Sequence, residues 1–146
     1  MSRFPFTEED RRRIMDTADF IVNYMRKAGV VVQRYDAMST LSVYLKFDFG
    51  LGNSLRISDH RGKDNLTYKY NLRTDVDTYY SNGEGATEHN FFPIDQAEAA
   101  CRMILINRFR KIGKYGHEWY QRTMNEQPSM KAFQNNRFWK SATVCK

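Results

Sequence analysis

The chain has 146 residues, 41% apolar and 14% aromatic, with a formal net charge of +6. That many large side chains excludes a disordered polymer and suffices for one core of domain size without staples. No apolar run approaches the roughly 18 residues of a membrane span, and the start has no apolar core for a signal sequence, so one cytoplasmic domain is expected.

The charge is unevenly spread. Residues 1–100 hold 13 Lys and Arg against 15 Asp and Glu, whereas residues 101–146 hold 10 against 2. Clustered cations gain by displacing condensed counterions, so the basic end favours an acidic partner such as nucleic acid. Cys101 and Cys145 have no Cys-x-x-Cys spacing and read as two isolated thiols.

Thr7 ahead of Glu8, Glu9 and Asp10 is a helix cap followed by acids that complement the dipole. Ile14, Ala18, Ile21, Val22 and Met25 then form one apolar stripe, predicting an amphipathic helix that Gly29 ends. Val30 to Val32 predicts an opening or edge strand. From Leu41 to Phe49, apolar residues alternate with Ser42, Tyr44, Lys46 and Asp48, so one face is core and the other meets water.

Gly50-Leu51-Gly52-Asn53 supplies a hairpin turn. Leu55 and Ile57 resume the inward face, leaving Arg56 and Ser58 outward beside Lys46. After a turn over Arg61 to Asn65, Leu66, Tyr68, Tyr70 and Leu72 alternate with Thr67, Lys69, Asn71 and Arg73 as a third antiparallel strand. Thr74 to His89 reads as a short strand or turn and then a mobile loop around Ser81 to Gly85.

Phe91 to Asp95 leads into a second helix, with Pro93 near its start and Gly113 as its stop. Ala97, Ala100, Cys101, Ile104, Leu105 and Ile112 face inward, and Arg102, Arg110, Lys111 and Lys114 line exposed or terminal turns. The whole predicts an α+β fold: an antiparallel β-meander with an N-terminal helix and a second helix after the sheet. Its core covers about 7–113, and a basic, aromatic, helical extension covers about 114–146.

Arg56-Ile57-Ser58-Asp59-His60 places a guanidinium, a hydroxyl, a carboxylate and an imidazole at one strand-to-turn junction. Ser58, Asp59 and His60 cannot form a catalytic relay, because adjacent strand residues point to alternate faces. His60, His89 and His117 show no metal-ligand spacing, and no phosphate-loop or dinucleotide fingerprint is present, so no metal or cofactor is expected. A metal-free nuclease using His60 as base, with Arg56 or Lys63 on the phosphate, is the enzymatic alternative.

Tyr44-Leu45, Arg56-Ile57-Ser58-Asp59-His60, Tyr68 and the helix after Phe92 together resemble small phage and mobile-element proteins. Among these are the broad-spectrum anti-CRISPR inhibitors of type II-A Cas9, whose corresponding strand carries an Arg-Leu-Ser-Asn-His run. The resemblance covers roughly residues 42–112 and implies a small α+β inhibitor in the host cytoplasm that binds Cas9 and its guide RNA and prevents DNA cleavage. Arg56, Asp59 and His60 carry over as the shared motif. The chain departs from that family in its capped N-terminal helix, where the family has an Arg-rich arm, and in its basic tail.

The expectation is therefore a protein that docks rather than catalyses. Arg56, Asp59, His60, Arg61, Lys63, Lys69 and Arg73 on the sheet and turn, with Arg110, Lys111 and Lys114 on the second helix, would meet phosphates or an acidic groove. The partner would be a Cas nuclease ribonucleoprotein or nucleic acid. A phage structural or assembly protein is a third reading.

Overall fold

In the computed structural model, which describes residues 6–59, 67–77, 87–129, 138 and 141–145, the first helix α1 spans Glu8–Lys27. Both of its ends are closed. The Thr7 hydroxyl accepts from the Asp10 amide at 3.0 Å, and the Asp10 carboxylate accepts from the Thr7 amide at 3.0 Å. This capping box satisfies two amides that the first turn would leave open. At the far end Gly29 has φ 83°, and the Val30 amide returns to the Met25 carbonyl at 3.1 Å. All five residues of the expected apolar stripe are buried.

Six strands follow in one antiparallel sheet: β1 (Val32–Ala37), β2 (Ser42–Phe47), β3 (Ser54–Asp59), β4 (Tyr70–Asp77), β5 (Thr87–Pro93) and β6 (Thr143–Cys145). Their spatial order is β5-β4-β3-β2-β1-β6. The first five form a meander that extends the expected one by β5, and β6 returns along the outer edge of β1. Helix α2 (Ala97–Tyr115) and helix α3 (His117–Glu126) follow β5. The fold is α+β.

Strand alternation sorts the two faces. Val43, Leu45, Phe47, Leu55, Ile57 and Leu72 point to one side, where Ile14, Ala18 and Ile21 of α1 and Ala100, Cys101 and Ile104 of α2 close the core. The other face carries Tyr35, Tyr44, Lys46, Arg56, Arg73, Asp75, His89 and Phe91, following the register of five strands.

The structure corrects several sequence expectations. Strand β2 stops at Phe47, because Asp48 (φ 51°) and Phe49 (φ 57°) turn into the left-handed region. Such backbone costs about 1–3 kcal/mol per residue and needs support. Here the Asp48 amide donates to the Val31 carbonyl at 2.7 Å, and the Phe49 amide donates to Gln33 Oε1 at 2.8 Å. Asp48, expected in water, is fully buried as a result.

Strand β4 starts at Tyr70 and runs through Asp77, so the expected third strand continues into the stretch read as a short strand or turn. Strand β5 takes residues assigned to the loop and to the helix approach. Gly113 does not stop α2: the helix continues to Tyr115 and ends at Gly116, φ 98°. An interior glycine costs only about 1 kcal/mol against alanine, which packing elsewhere on α2 offsets. The C-terminal extension supplies α3 and also β6, which its helical reading did not foresee.

Candidate nucleic-acid interface

A single cross-strand row runs over the outer sheet face. Tyr35 pairs with Tyr44, Tyr44 with Arg56, Arg56 with Arg73, and Arg73 with Phe91. Two rings, two guanidiniums and a third ring thus stand on consecutive strands roughly 4.8 Å apart. Tyr35 and Tyr44 stack with centroids 6.2 Å apart, and Phe138 meets Tyr35 edge-on at 6.3 Å. This end of the row is packed, so its rings hold Arg56 rather than wait for a ligand. The Arg56 guanidinium lies 5.2 Å from the Tyr44 centroid, and its Nε donates to Ser58 Oγ at 2.8 Å.

The other end faces solvent. Phe91 is 45% exposed. Like charges directly opposite on neighbouring strands destabilise a sheet, yet Arg56 and Arg73 are so placed. Only Arg73 has a carboxylate among the described residues: its Nη2 donates to Asp75 Oδ2 at 3.0 Å. Arg73 Nε and both polar atoms of the buried Asn71 carboxamide have no hydrogen-bond partner among the described residues. The cluster therefore carries polar atoms that the described residues do not satisfy.

Asp75 also holds a histidine. His89 stands opposite it in register, with Nδ1 2.6 Å from Asp75 Oδ1. An ionised carboxylate can only accept, so the contact assigns the hydrogen to Nδ1, and whenever the ring is neutral its lone pair lies on Nε2. The imidazole is 52% exposed. One carboxylate therefore fixes both the Arg73 guanidinium and the His89 ring.

The expected site residues do not form one surface. Arg56 and Arg73 are together, and Asp59 ends the same strand as Arg56. His60, Arg61 and Lys63 lie outside the described residues. Lys69 pairs with Asp10 at 3.0 Å, beside the N-terminus of α1. Arg110 and Lys114 are exposed on α2, which packs on the core face of the sheet, so they sit across the molecule's layers from Arg56 and Arg73.

Lys111 is a correction. Expected on an exposed turn, it is 6% exposed, its Nζ donating to the Leu51 carbonyl at 2.7 Å and pairing with Asp77. It pins α2 to the β2–β3 turn and is not available for docking. Asp48 completes this anchor. Its Oδ2 accepts from Arg108 Nε at 2.6 Å and from the Tyr120 hydroxyl, while Oδ1 accepts from the Val31 amide at 3.0 Å. Burial, and then the charge of Asp48, hold the Tyr120 phenol well above its ordinary value. Burial alone would lower Arg108, but the bond and charge of Asp48 outweigh it. Gly52 closes over this cluster: a Cβ there would stand 3.1 Å from both Asp48 Oδ2 and the Tyr120 hydroxyl.

Burial, then Glu98, pushes the Cys101 thiol up to about 12, so it stays protonated near neutral pH. Burial lowers the Lys46 ammonium, which lies 4.8 Å from the Phe138 centroid. Among the described residues no three His, Cys, Asp or Glu side chains gather to hold a metal ion. No described helix is long and apolar enough to cross a membrane.

Sequence reasoning found Arg56 and Arg73 but missed Asp75, His89 and Phe91, which enter only when β5 pairs with β4. Comparison with family models, curated proteins and solved structures finds no match to this chain.

Proposed function

We propose that this chain works by docking on single-stranded nucleic acid, with the Arg56–Arg73 pair taking a phosphate and Phe91 stacking a base. What carries the reading is a pair of opposed guanidiniums that share one carboxylate, Asp75 on Arg73, among the described residues, beside an exposed ring on one row of the sheet. Planar guanidiniums match phosphate oxygens, and flat rings accept any base, so the combination favours a strand with its bases unpaired. A bound phosphate also relieves the repulsion between the two arginines.

The resemblance of the Arg56 to His60 run to the Cas9 inhibitors names the finer partner: a Cas nuclease carrying guide RNA, blocked by occlusion of a nucleic-acid path. The test is twofold. Fluorescence anisotropy with a labelled single-stranded RNA should show salt-dependent binding that the paired substitution Arg56→Ala, Arg73→Ala abolishes. A pull-down of Cas9 loaded with guide RNA should then retain the wild-type protein and not that variant. Binding of RNA without capture of the nuclease would restrict the reading to nucleic acid.

A further inference from the structure

Asp75 and His89 give the same face a chemical capacity beyond holding a strand. We infer that it cleaves the single-stranded RNA it binds, with His89 as general base; this rests on the docking site proposed above.

Asp75 touches both partners, at 3.0 Å from Arg73 Nη2 and 2.6 Å from His89 Nδ1. Arg73 and His89 thus flank one carboxylate on adjacent strands, so a phosphodiester held by Arg73 would share a patch of the sheet with His89. The lone pair on Nε2 points away from the carboxylate, and Nε2 has no hydrogen-bond partner among the described residues. A base oriented by a carboxylate, beside cations that stabilise charge on phosphorus, is what attack by a ribose hydroxyl requires.

The step closes without a further reagent. His89 Nε2 takes the proton of a 2′-hydroxyl, and the 2′-oxygen bonds to the adjacent phosphorus. The bond from phosphorus to the 5′-oxygen breaks, and that oxygen leaves with its electron pair and takes a proton from water. The imidazolium returns its proton to solvent. The products are a 2′,3′-cyclic phosphate and a 5′-hydroxyl end. Deoxyribose has no attacking group, so DNA of the same sequence is bound and left intact. Asp75 acts as a positioning residue that fixes the tautomer of the base.

The test uses the full chain with one labelled RNA oligonucleotide and its all-deoxy counterpart, reading binding on the DNA and cleavage on the RNA. Wild type should bind both and release cyclic phosphate ends from the RNA. His89→Ala should slow cleavage by about 100-fold or more, bind the DNA as wild type does, and regain cleavage when imidazole is added. Asp75→Asn should lower the rate and displace the pH–rate profile. Bound but uncut RNA, or cutting unaffected by His89→Ala, overturns the inference while the docking proposal stands. Absence of binding to either strand overturns both.

Discussion

Arg56 and Arg73 stand directly opposite each other on β3 and β4, and of the two only Arg73 has a carboxylate partner among the described residues. The fold tolerates this repulsion by laying Arg56 against Tyr44 and by letting Asp75 serve Arg73. Both devices fix the guanidiniums in place, and among the described residues no carboxylate cancels the charge of Arg56. On the docking proposal, a pair so arranged is oriented before its anion arrives, which lowers the ordering cost of binding.

Phe91→Ala should weaken binding of single-stranded RNA by about 1–3 kcal/mol, the usual worth of one stacked base. The ring is half exposed at the edge of the sheet, so the thermal midpoint should barely move. Anisotropy titration and a melting curve on the same preparation check both statements.

Lys111 and its neighbours should separate cleanly. Lys111→Ala removes the partner of the Leu51 carbonyl and of Asp77, and should lower stability by roughly 2–3 kcal/mol. Arg110→Ala and Lys114→Ala, on exposed turns of α2, should stay within about 0.5 kcal/mol. Urea unfolding of the three variants decides this; equal losses at all three positions would refute the anchoring role of Lys111.

Asp48 is the heart of the anchor between the β2–β3 turn and the two C-terminal helices. Asp48→Ala leaves Arg108 and the Tyr120 hydroxyl without their shared acceptor, and should cost about 3–5 kcal/mol. Chemical denaturation reads this directly.

Tyr120 makes the same anchor sensitive to alkali. Its folded-state value is raised above that of an unfolded tyrosine, which is about 10. Above that pH the unfolded chain gives up a proton that the folded chain keeps, so stability present at neutral pH is lost as pH rises. Melting midpoints between about pH 9 and 11 should therefore fall more steeply for wild type than for Tyr120→Phe. Parallel curves would contradict the assignment.

The elements that sequence reasoning placed well are those whose periodicity is local. The stripe from Ile14 to Met25 and the alternation from Val43 to Phe47 each declare their own buried face. What escaped depends on partners distant in sequence. Asp48 continues the outward phase of β2, and only its left-handed backbone, held by Val31 and Gln33, swings it inward. Thr87 to Asn90 is polar and Pro93 argues against a strand, so β5 shows itself only as an edge paired to β4. That pairing creates the Asp75–His89 contact, for which no short motif exists. Lys111 shares a helix face with the core through the 3.6 period, and its charge hid that fact.

The most direct test of the docking account is the salt dependence of single-stranded RNA binding by wild type and by the double variant Arg56→Ala, Arg73→Ala. Each phosphate contact contributes roughly 0.7 to the slope of log affinity against log salt on a single strand. The account predicts a measurable wild-type slope that becomes shallower in the variant, with affinity lost at every salt concentration and the melting curve retained. Identical slopes and affinities for the two proteins would contradict it.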